Sequence, residues 1–267
     1  MLGVHQNPKP GAGLEFNQYR SYQPGDDLRR VDWKMYARSD RYYVRESEVE
    51  TSVNVKFMLD ATASMAHEDR GMSKFDYARF LVASLGYLAS AQNDAIGLHI
   101  INNAKIWHLP PKQDHQHLHR FLHELEKVTP AGIWPEWQEF ESTFTISQTR
   151  AIIVFVSDMH ELRKEIQEML TELSSLKNEI LIFHLLGKNE LEFAYDEPAT
   201  FEDLETGKTI QVDPAKSRDV YLKRLDDRIR SLRQTSQDQH ISYDSFSLDQ
   251  PLDFVLRNYL SQRMNMT

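Results

Sequence analysis

The chain has 267 residues, which is enough for one large α/β domain or for a domain with a smaller appendage. Its hydrophobic content of 40% and charged content of 27% exclude disorder throughout, and the absence of cysteine excludes disulfides, thiolate nucleophiles and zinc ribbons. The net charge of −9 disfavours binding to nucleic acid, because it would repel a phosphate backbone.

The first 52 residues differ from the rest in being rich in Gly, Pro, Tyr and Arg. They carry too many aromatic side chains for a solvated tail, so we predict an N-terminal β/loop segment over residues 1–52 that buries these aromatics and packs on the core. The aromatic residues are Phe16, Tyr19, Tyr22, Trp33, Tyr36, Tyr42 and Tyr43.

Residues 53–267 alternate between short β-rich runs and helical periods, which predicts an α/β domain with a mostly parallel sheet. The first predicted strand runs over 53–60 and ends at Asp60. A helix follows from Phe75 to Ala89, with Ser73 and Asp76 spaced as a capping box. Further elements are predicted as a strand over 95–101, an edge strand over 105–109 and a helix over 114–127.

The second half continues the alternation after a Thr-Pro-Ala-Gly break at 129–132. Two uninterrupted apolar runs, 152–156 and 180–186, predict strands covered on both faces. The sequence Thr206-Gly207 indicates a hairpin within an acidic insertion near 192–212. The remaining predictions are helices over 135–144, 162–176, 222–232 and 252–260 and a strand over 241–246.

Polar side chains follow two of the predicted strands at the points where the strands end. Asp60, Thr62 and Ser64 come at and just after the first strand, and Asp158 follows the strand over 152–156. Open parallel sheets bind ligands beyond the carboxyl ends of the strands, where the strand order reverses, so these side chains could meet there. Carboxylate and hydroxyl oxygens suit Mg²⁺, and the four residues therefore form a candidate metal site.

A structural explanation of Asp158 is also open. Asp158 and Glu161 have the spacing of a capping box and would then begin the helix predicted over 162–176. This alternative predicts no metal dependence and a loss of about 1 kcal/mol when the Asp158 side chain is removed. Ser64 is open to the same explanation.

Asp26 and Asp27 follow a Pro-Gly turn and lie among arginines of the first segment. Because the opposite charges neutralise one another, an internal salt-bridge network, or a surface recognised by a partner, explains Asp26, Asp27 and Asp32 better than two-metal catalysis does. The neighbouring arginines are Arg20, Arg29, Arg30 and Arg38.

The histidines offer a weaker metal site. His115, His119 and His123 share one helical face and could bind a transition metal, although exposed imidazoles are more often solvated side chains. His99 and His184 lie within predicted strands, where we expect hydrogen-bonded structural roles.

Motifs of common enzymes are absent from the sequence, including a phosphate-binding glycine loop, His-Glu-x-x-His, GxGxxG and a hydrolase nucleophile elbow. The apolar runs are shorter than the roughly 18 residues of a membrane span. Residues 1–7 offer neither the basic nor the apolar part of a secretory signal. We therefore predict no membrane span and a cytoplasmic location.

Several motifs resemble the signature of the bacterial domain-of-unknown-function family 58, and the resemblance covers nearly the whole chain. Family members usually begin a few tens of residues earlier than this chain does. The N-terminal motifs are Glu15-Phe16, Arg20-Ser21-Tyr22-Gln23-Pro24-Gly25-Asp26-Asp27, Arg29-Arg30-Val31-Asp32-Trp33-Lys34 and Ala37-Arg38. The later motifs include Asp60-Ala61-Thr62-Ala63-Ser64-Met65, Phe75-Asp76-Tyr77-Ala78-Arg79 and Tyr259-Leu260-Ser261-Gln262-Arg263.

The resemblance implies a von Willebrand factor A-like (Rossmann-like) fold with a metal-ion-dependent adhesion site. Thr62 replaces a serine of the Asp-x-Ser-x-Ser motif and keeps its hydroxyl. The fold also supplies a threonine from an intermediate loop, whereas this chain has Thr129 early in that loop, followed by Ile133 and Trp134. Trp134 and Trp137 could pack inward or anchor a partner. The resemblance further implies association with MoxR-type AAA+ ATPases, chaperones in protein or metallocofactor maturation, and no established reaction.

Two functional hypotheses follow. The first is a non-enzymatic binding module or adaptor whose metal site of Asp60, Thr62, Ser64 and Asp158 docks an acidic group of a partner, a MoxR-type ATPase or its client. The second is a metal-dependent phosphoesterase that uses Asp60 and Asp158. The second lacks an obvious general base, because the histidines near these residues in sequence are His67 and His160.

Overall fold

The computed structural model describes residues 18–46, 52–103, 105–136, 150–161, 163–176, 178–195 and 197–264. The chain divides into two compact units, one within residues 3–52 and the other formed mainly by residues 53–267. The predicted packing of the first segment on the core stays a prediction. The helix predicted over 135–144 lies mostly outside the described residues.

The N-terminal unit consists of a two-stranded antiparallel sheet and a short helix. Strand β1, Gln18–Ser21, pairs with β2, Tyr43–Glu46. Helix α1, Trp33–Ser39, lies between them in sequence and is capped by Asp32, whose Oδ1 accepts from the backbone nitrogens of Lys34 at 2.9 Å and Met35 at 3.1 Å. The helix ends at Asp40 in the left-handed conformation, so both helix ends are specified locally.

Aromatic side chains of this unit pack on one another. The Tyr36 and Tyr42 rings stack with centroids 4.4 Å apart, and Trp33 meets both rings edge-on. Trp33 is 57% exposed, Tyr42 47% and Tyr19 38%. These rings contact one another within the unit, and their burial on the core stays a prediction.

The carboxylates of this unit are bound within it. Arg20 donates two hydrogen bonds to Asp26, of 2.9 and 3.0 Å. The Arg20 guanidinium thereby lowers the pKa of Asp26. Asp27 accepts from the backbone nitrogen of Arg29 at 3.0 Å, and Asp32 accepts from the Tyr19 hydroxyl at 2.9 Å. The Arg20–Asp26 pair agrees with the predicted internal salt bridges, whereas Asp27 and Asp32 act as helix caps, which were not predicted.

The larger unit is built on a six-stranded sheet. Its strands are β3 Asn54–Asp60, β6 Ala95–Asn102, β7 Lys105–Lys112, β8 Ala151–Ser157, β9 Glu179–Leu186 and β12 Ser242–Ser247. They lie in the order β12-β9-β8-β3-β6-β7, and all pairs are parallel except β6 with β7. The chain leaves β3 toward β6 on one side and later returns to β8 on the other, so the strand order reverses between β3 and β8.

Helices cover both faces of this sheet. They are α2 Lys74–Ala91, α3 His115–Lys127, α4 Glu165–Ser175, α5 Lys188–Glu192, α6 Pro214–Asp238 and α7 Leu252–Met264. Phe57 of β3 packs with residues of α2 and α3, whereas the next residue, Met58, packs with residues of α4. Ser73 is the N-cap of helix α2, because its Oγ accepts from the Asp76 nitrogen at 2.9 Å. The other half of the predicted capping box is not formed, since the Asp76 carboxylate accepts from the Ser73 hydroxyl at 2.8 Å and not from the Ser73 nitrogen.

Two short hairpins complete the unit. Strands β4, Glu68–Asp69, and β5, Met72–Ser73, precede α2. Strands β10, Ala199–Glu202, and β11, Thr209–Val212, form an antiparallel hairpin where the acidic insertion was predicted. The fold is therefore the predicted α/β, von Willebrand factor A-like arrangement of a mostly parallel sheet flanked by helices. Among the described residues, no helix combines the length and apolar character needed to cross a membrane.

Candidate metal centre

The four predicted site residues converge where the strand order reverses. Asp60 is the last residue of β3, and Asp158 follows the adjacent parallel strand β8. The Thr62 hydroxyl donates to Asp60 Oδ1 at 2.8 Å and lies 3.1 Å from the Ser64 hydroxyl. Ser64 in turn donates to Asp158 Oδ1 at 3.2 Å. The four side chains therefore form one continuous chain of polar contacts.

Asp60 is fully buried and held by four donors. Its Oδ1 accepts from the Thr62 nitrogen at 3.0 Å as well as from the Thr62 hydroxyl. Its Oδ2 accepts from the Ser157 hydroxyl at 2.7 Å and from the Trp134 indole nitrogen at 3.3 Å. Burial and the nearby charge of Asp158 nevertheless raise the pKa of Asp60 to about 7. The site therefore makes a second negative charge unfavourable unless a positive charge is added.

The turn after β8 is strained. Met159 has φ 56°, a left-handed conformation that is uncommon for a bulky residue. Its nitrogen donates to the Ser157 hydroxyl at 2.8 Å, and its carbonyl accepts from the Arg228 guanidinium. Its side chain is buried in the core that includes Phe155. These contacts stabilise the left-handed backbone of Met159 and so keep Asp158 at the carboxyl end of β8.

Asp158 is paired with a buried lysine that the sequence analysis did not identify. Lys74, the first residue of α2, donates to Asp158 Oδ2 at 3.0 Å and to Glu190 Oε1 at 2.9 Å. The Lys74 and Asp158 side chains are 5% and 4% exposed. Burial would raise the pKa of Asp158, but the Lys74 ammonium outweighs it and lowers that pKa. Burial likewise opposes the charge of Lys74, and its two carboxylate partners raise its pKa instead.

A third carboxylate reaches the site from the β10–β11 hairpin. The Glu205 side chain is 1% exposed, and within the described part of the chain neither of its oxygens has a hydrogen-bond partner. His160 Nε2 lies 3.7 Å from Glu205 Oε2. Burial and the charges of Asp60 and Asp158 raise the pKa of Glu205 to about 7, although the nearby Ser64 hydroxyl opposes that rise.

The intermediate loop supports the site through its backbone and Trp134. The Gly132 carbonyl accepts from the Ala63 nitrogen at 2.9 Å. Gly132 has φ +71°, and a Cβ there would lie 2.5 Å from Asn103 Cα, so a side chain is excluded. Thr129 is exposed, and its carbonyl accepts from the Asn102 side chain. Trp134 packs inward onto Asp60, which decides between the two predicted roles, while Trp137 lies outside the described residues.

The capping explanation of Asp158 is wrong. Helix α4 begins at Glu165, after Lys164 as an N-cap that makes no side-chain hydrogen bond. Glu161 provides the helix-start contact, because its Oε2 accepts from the Ile166 nitrogen at 2.9 Å. Asp158 instead accepts from the His160 nitrogen at 3.1 Å. The residues between β8 and α4 therefore separate Asp158 from the helix.

The candidate histidines on α3 do not form a metal site. His115, His119 and His123 are exposed, and among the described residues no group of three or more His, Asp or Glu side chains could hold a metal ion. The buried histidine of this helix is His117, whose Nε2 lies 2.8 Å from the Ile96 carbonyl oxygen.

The strand histidines are buried. His184 Nδ1 lies 2.6 Å from the Tyr243 hydroxyl, and burial lowers the pKa of His184 to about 4. Burial also lowers the pKa of His99 to about 3, and its ring stacks with that of His108. Both are therefore neutral core residues at pH 7, and His184 makes a hydrogen bond, as expected.

The donor set at the strand ends fits a hard cation. It consists of the Thr62 and Ser64 hydroxyls together with the carboxylates of Asp60, Asp158 and Glu205. Mg²⁺ takes oxygen ligands and keeps several waters, so it does not need three carboxylates around one point. The unpartnered oxygens of Glu205 leave acceptor capacity that a cation could use.

Comparison with solved structures agrees with the class of fold. The chain superimposes on an aerotolerance-related membrane protein of Bacteroides fragilis with a TM-score of 0.54 and 16% identity, covering 81% of this chain and 100% of that one. The conserved hypothetical protein BatB of Bacteroides thetaiotaomicron gives a TM-score of 0.51 and 14% identity with the same coverage. These similarities show the von Willebrand factor A-like fold.

The family is given by the sequence. A model described as "Protein of unknown function DUF58" matches residues 18–229, and the chain belongs to this family. It is also 26% identical over 225 residues to uncharacterized proteins of Mycobacterium bovis and Mycobacterium tuberculosis, which covers 80% of this chain and 68% of each relative. The family recognised from the motifs is thereby confirmed.

Proposed function

We propose that this protein is a non-enzymatic protein-binding module whose strand-end site holds Mg²⁺ and docks an acidic group of a partner. The observation that carries the proposal is the excess of negative charge and hydrogen-bond acceptors at the site. Asp60 and Asp158 meet there, the charges of both act on Glu205, and the ammonium that contacts Asp158 is shared with Glu190. A divalent cation would offset this charge in a buried environment.

The number of hydroxyl protons at the site also supports a bound cation. The Thr62 hydroxyl proton is used by Asp60, whose Oδ1 lies 2.8 Å away. Ser64 has one hydroxyl proton, which it donates to Asp158, while its oxygen also lies near Thr62 and Glu205. A bound cation would satisfy the oxygens that these hydroxyl protons leave without a partner.

Thr62 and Ser64 would hold the cation through their hydroxyls, and Asp60 and Asp158 through their carboxylates. When bound, the cation would act as a Lewis acid that attracts a carboxylate of the partner. The turn geometry, with Asp60 fixed by four donors, would keep these ligands in place before the cation arrives.

A phosphoesterase that uses Asp60 and Asp158 is less well supported. It needs a general base, and the two nearby histidines have other contacts. His67 Nε2 lies 3.1 Å from Asn189 Oδ1, and His160 faces Glu205. Turnover of a generic phosphoester with Mg²⁺ or Mn²⁺ that is lost in an Asp158→Asn variant would favour the enzyme and contradict the binding-only proposal.

The partner that the family resemblance favours is a MoxR-type AAA+ ATPase or its client. We propose that the two proteins bind in the cytoplasm. Pull-down of the ATPase by the wild-type chain with Mg²⁺ but not with chelator would support this partner. A pull-down that is unchanged by chelator would contradict the cation-dependent part of the proposal.

Cation binding itself is tested by calorimetry and thermal melts with Mg²⁺ and Mn²⁺. We expect the wild-type melting temperature to rise with millimolar cation, because only the folded site binds it. Ser64→Ala should remove most of this rise. Ser84→Ala is the matched control, since the Ser84 hydroxyl contacts its own helix at Phe80. A wild-type curve that does not respond to either cation would refute the metal site.

A further inference from the structure

The turn that carries Glu205 is rigidly built. Asp203 Oδ1 accepts from the backbone nitrogens of Glu205 at 2.9 Å and Thr206 at 3.2 Å. The Gly207 nitrogen donates to the Asp203 carbonyl at 2.7 Å, and Gly207 has φ +68°. Because both the side chain and the backbone of Asp203 close the turn, the direction of Glu205 is specified locally.

The hairpin is also anchored at its base by aromatic contacts. Phe193, which is 5% exposed and has φ 44°, packs on Tyr221 of α6 with ring centroids 4.5 Å apart. Phe201 of β10 stacks with Phe193 and meets Tyr195 edge-on at 5.0 Å. These aromatic contacts attach the hairpin to the unit that carries the strand ends. The hairpin is therefore held in place beside the site by packing.

The Glu205 carboxylate is placed unfavourably unless something binds it. A buried carboxylate that makes no hydrogen bond within the described residues, close to two other carboxylates, destabilises the folded chain. The surface of this unit offers many solvated positions for such a side chain, including that of the exposed neighbour Glu202. The turn at Asp203 and Gly207 instead directs Glu205 to a buried position close to two other carboxylates. Such a position indicates that Glu205 binds a ligand there.

We infer that Glu205 is a cation ligand supplied by the chain itself, and that it occupies the position where a partner's carboxylate would otherwise bind. This inference rests on the proposed cation site and adds to it a self-ligated, closed state. An acidic partner must then displace Glu205 to reach the cation. The β10–β11 hairpin thus controls access to the site.

The first test measures Mn²⁺ affinity by calorimetry for the full chain and for Glu205→Gln, which keeps the size of the side chain and removes its charge. We expect the variant to bind Mn²⁺ at least tenfold more weakly. Glu202→Gln is the matched control, because it removes an exposed charge from the same hairpin, and its affinity should stay within twofold of the wild type. Equal affinity of Glu205→Gln and the wild type would overturn the inference.

The second test is chemical rescue. Glu205→Ala removes a CH₂–COO⁻ group, whose size and charge acetate reproduces. Acetate should therefore restore Mn²⁺ binding to Glu205→Ala, while sodium chloride at the same ionic strength should not. Wild-type binding should be unaffected by acetate, since its ligand position is already filled. Failure of acetate to strengthen Mn²⁺ binding by the variant would contradict a vacated ligand position.

The two tests separate this inference from the proposed function. If the wild-type chain binds no Mn²⁺ and shows no melting shift, the cation site itself fails. If the wild type binds Mn²⁺ with a Ser64-dependent affinity and Glu205→Gln binds equally well, the site stands and the role of Glu205 fails. Hydrogen exchange adds a structural readout, since Mn²⁺ should slow exchange at 203–207 in the wild type and not in Glu205→Gln at matched occupancy.

Discussion

The two units of this chain both gather carboxylates, and they do so in opposite ways. In the N-terminal unit, Asp26 is bound by two hydrogen bonds from Arg20, and Asp32 caps a helix and binds the Tyr19 hydroxyl. At the strand ends, Glu205 makes no hydrogen bond within the described residues, and its pKa is raised, whereas that of Asp26 is lowered. The hydrogen-bonding capacity of Asp26 and Asp32 is thus used within their own unit, whereas Glu205 at the strand ends makes no hydrogen bond in the described part of the chain and lies close to the charges of Asp60 and Asp158.

The difference separates structural acids from ligand acids. A carboxylate that already has its donors stabilises its own segment, and one that is also buried beside a second carboxylate, as Asp60 is, still gains from a cation. A buried carboxylate without donors costs stability until a cation or proton arrives. Acidic motifs should therefore be judged by the balance of donors and acceptors around them and not by their composition.

The comparison is tested most strongly at Lys74, the buried positive charge of the strand-end site. Lys74→Met should lower the free energy of unfolding by about 3–5 kcal/mol, because it leaves Asp158 and Glu190 buried without their counter-charge. Divalent cation should recover part of this loss. Urea unfolding with cation and with chelator measures both effects.

Lys188→Met is the matched control for this prediction. Lys188 also faces two carboxylates, Asp249 at 2.9 Å and Glu192 at 3.7 Å, but its side chain is 30% exposed. We expect a much smaller loss and no recovery by cation. Equal losses in the two variants would show that the Lys74 pairs behave as surface ion pairs and that the strand-end site is not charge-deficient.

The second prediction concerns pH without cation. Asp60 and Glu205 have pKa values raised to about 7, so the folded chain retains protons that the unfolded chain releases from about pH 4 upward. Their contribution to stability is therefore present at low pH and is lost as pH rises from about 4 to 7. In chelator, Glu205→Gln should flatten this decline by at most about 1.4 kcal/mol per pH unit. A wild-type decline that is identical in Glu205→Gln would contradict the raised pKa of Glu205.

The positions of Asp60 and Asp158 could be predicted because they depend on local signals. Alternation and apolar runs give the strands, and parallel strands end at the same edge, so residues after β3 and β8 must meet. The spacing of Asp158 and Glu161 led to the wrong prediction that Asp158 caps a helix, and the reason is local. Glu161 does cap the next helix, but from outside it, by accepting from the Ile166 nitrogen.

Lys74 and Glu205 could not be found in the same way. Lys74 follows a helix cap and has no local feature that distinguishes it from a solvated lysine, and its partners are 84 and 116 residues away. The turn around Glu205 was recognisable from Thr206-Gly207, but its approach to the strand ends depends on packing of Phe193, Phe201 and Tyr221. Long-range packing of this kind leaves no periodicity in the sequence.

The smallest expected effect lies in the N-terminal unit and tests the structural side of the comparison. Asp32→Ala removes the cap of α1 and an acceptor for Tyr19, and should lower local stability by about 1 kcal/mol, which is roughly a fivefold loss of amide protection over residues 33–39. Asp32→Asn should keep most of the protection, because asparagine is an equally good N-cap. Hydrogen exchange followed by mass spectrometry measures both variants. Mn²⁺ should leave exchange at 33–39 unchanged in every case, since these acids are already saturated. Cation-dependent protection of α1 would mean that the N-terminal acids also bind metal and that the contrast between the two units is false.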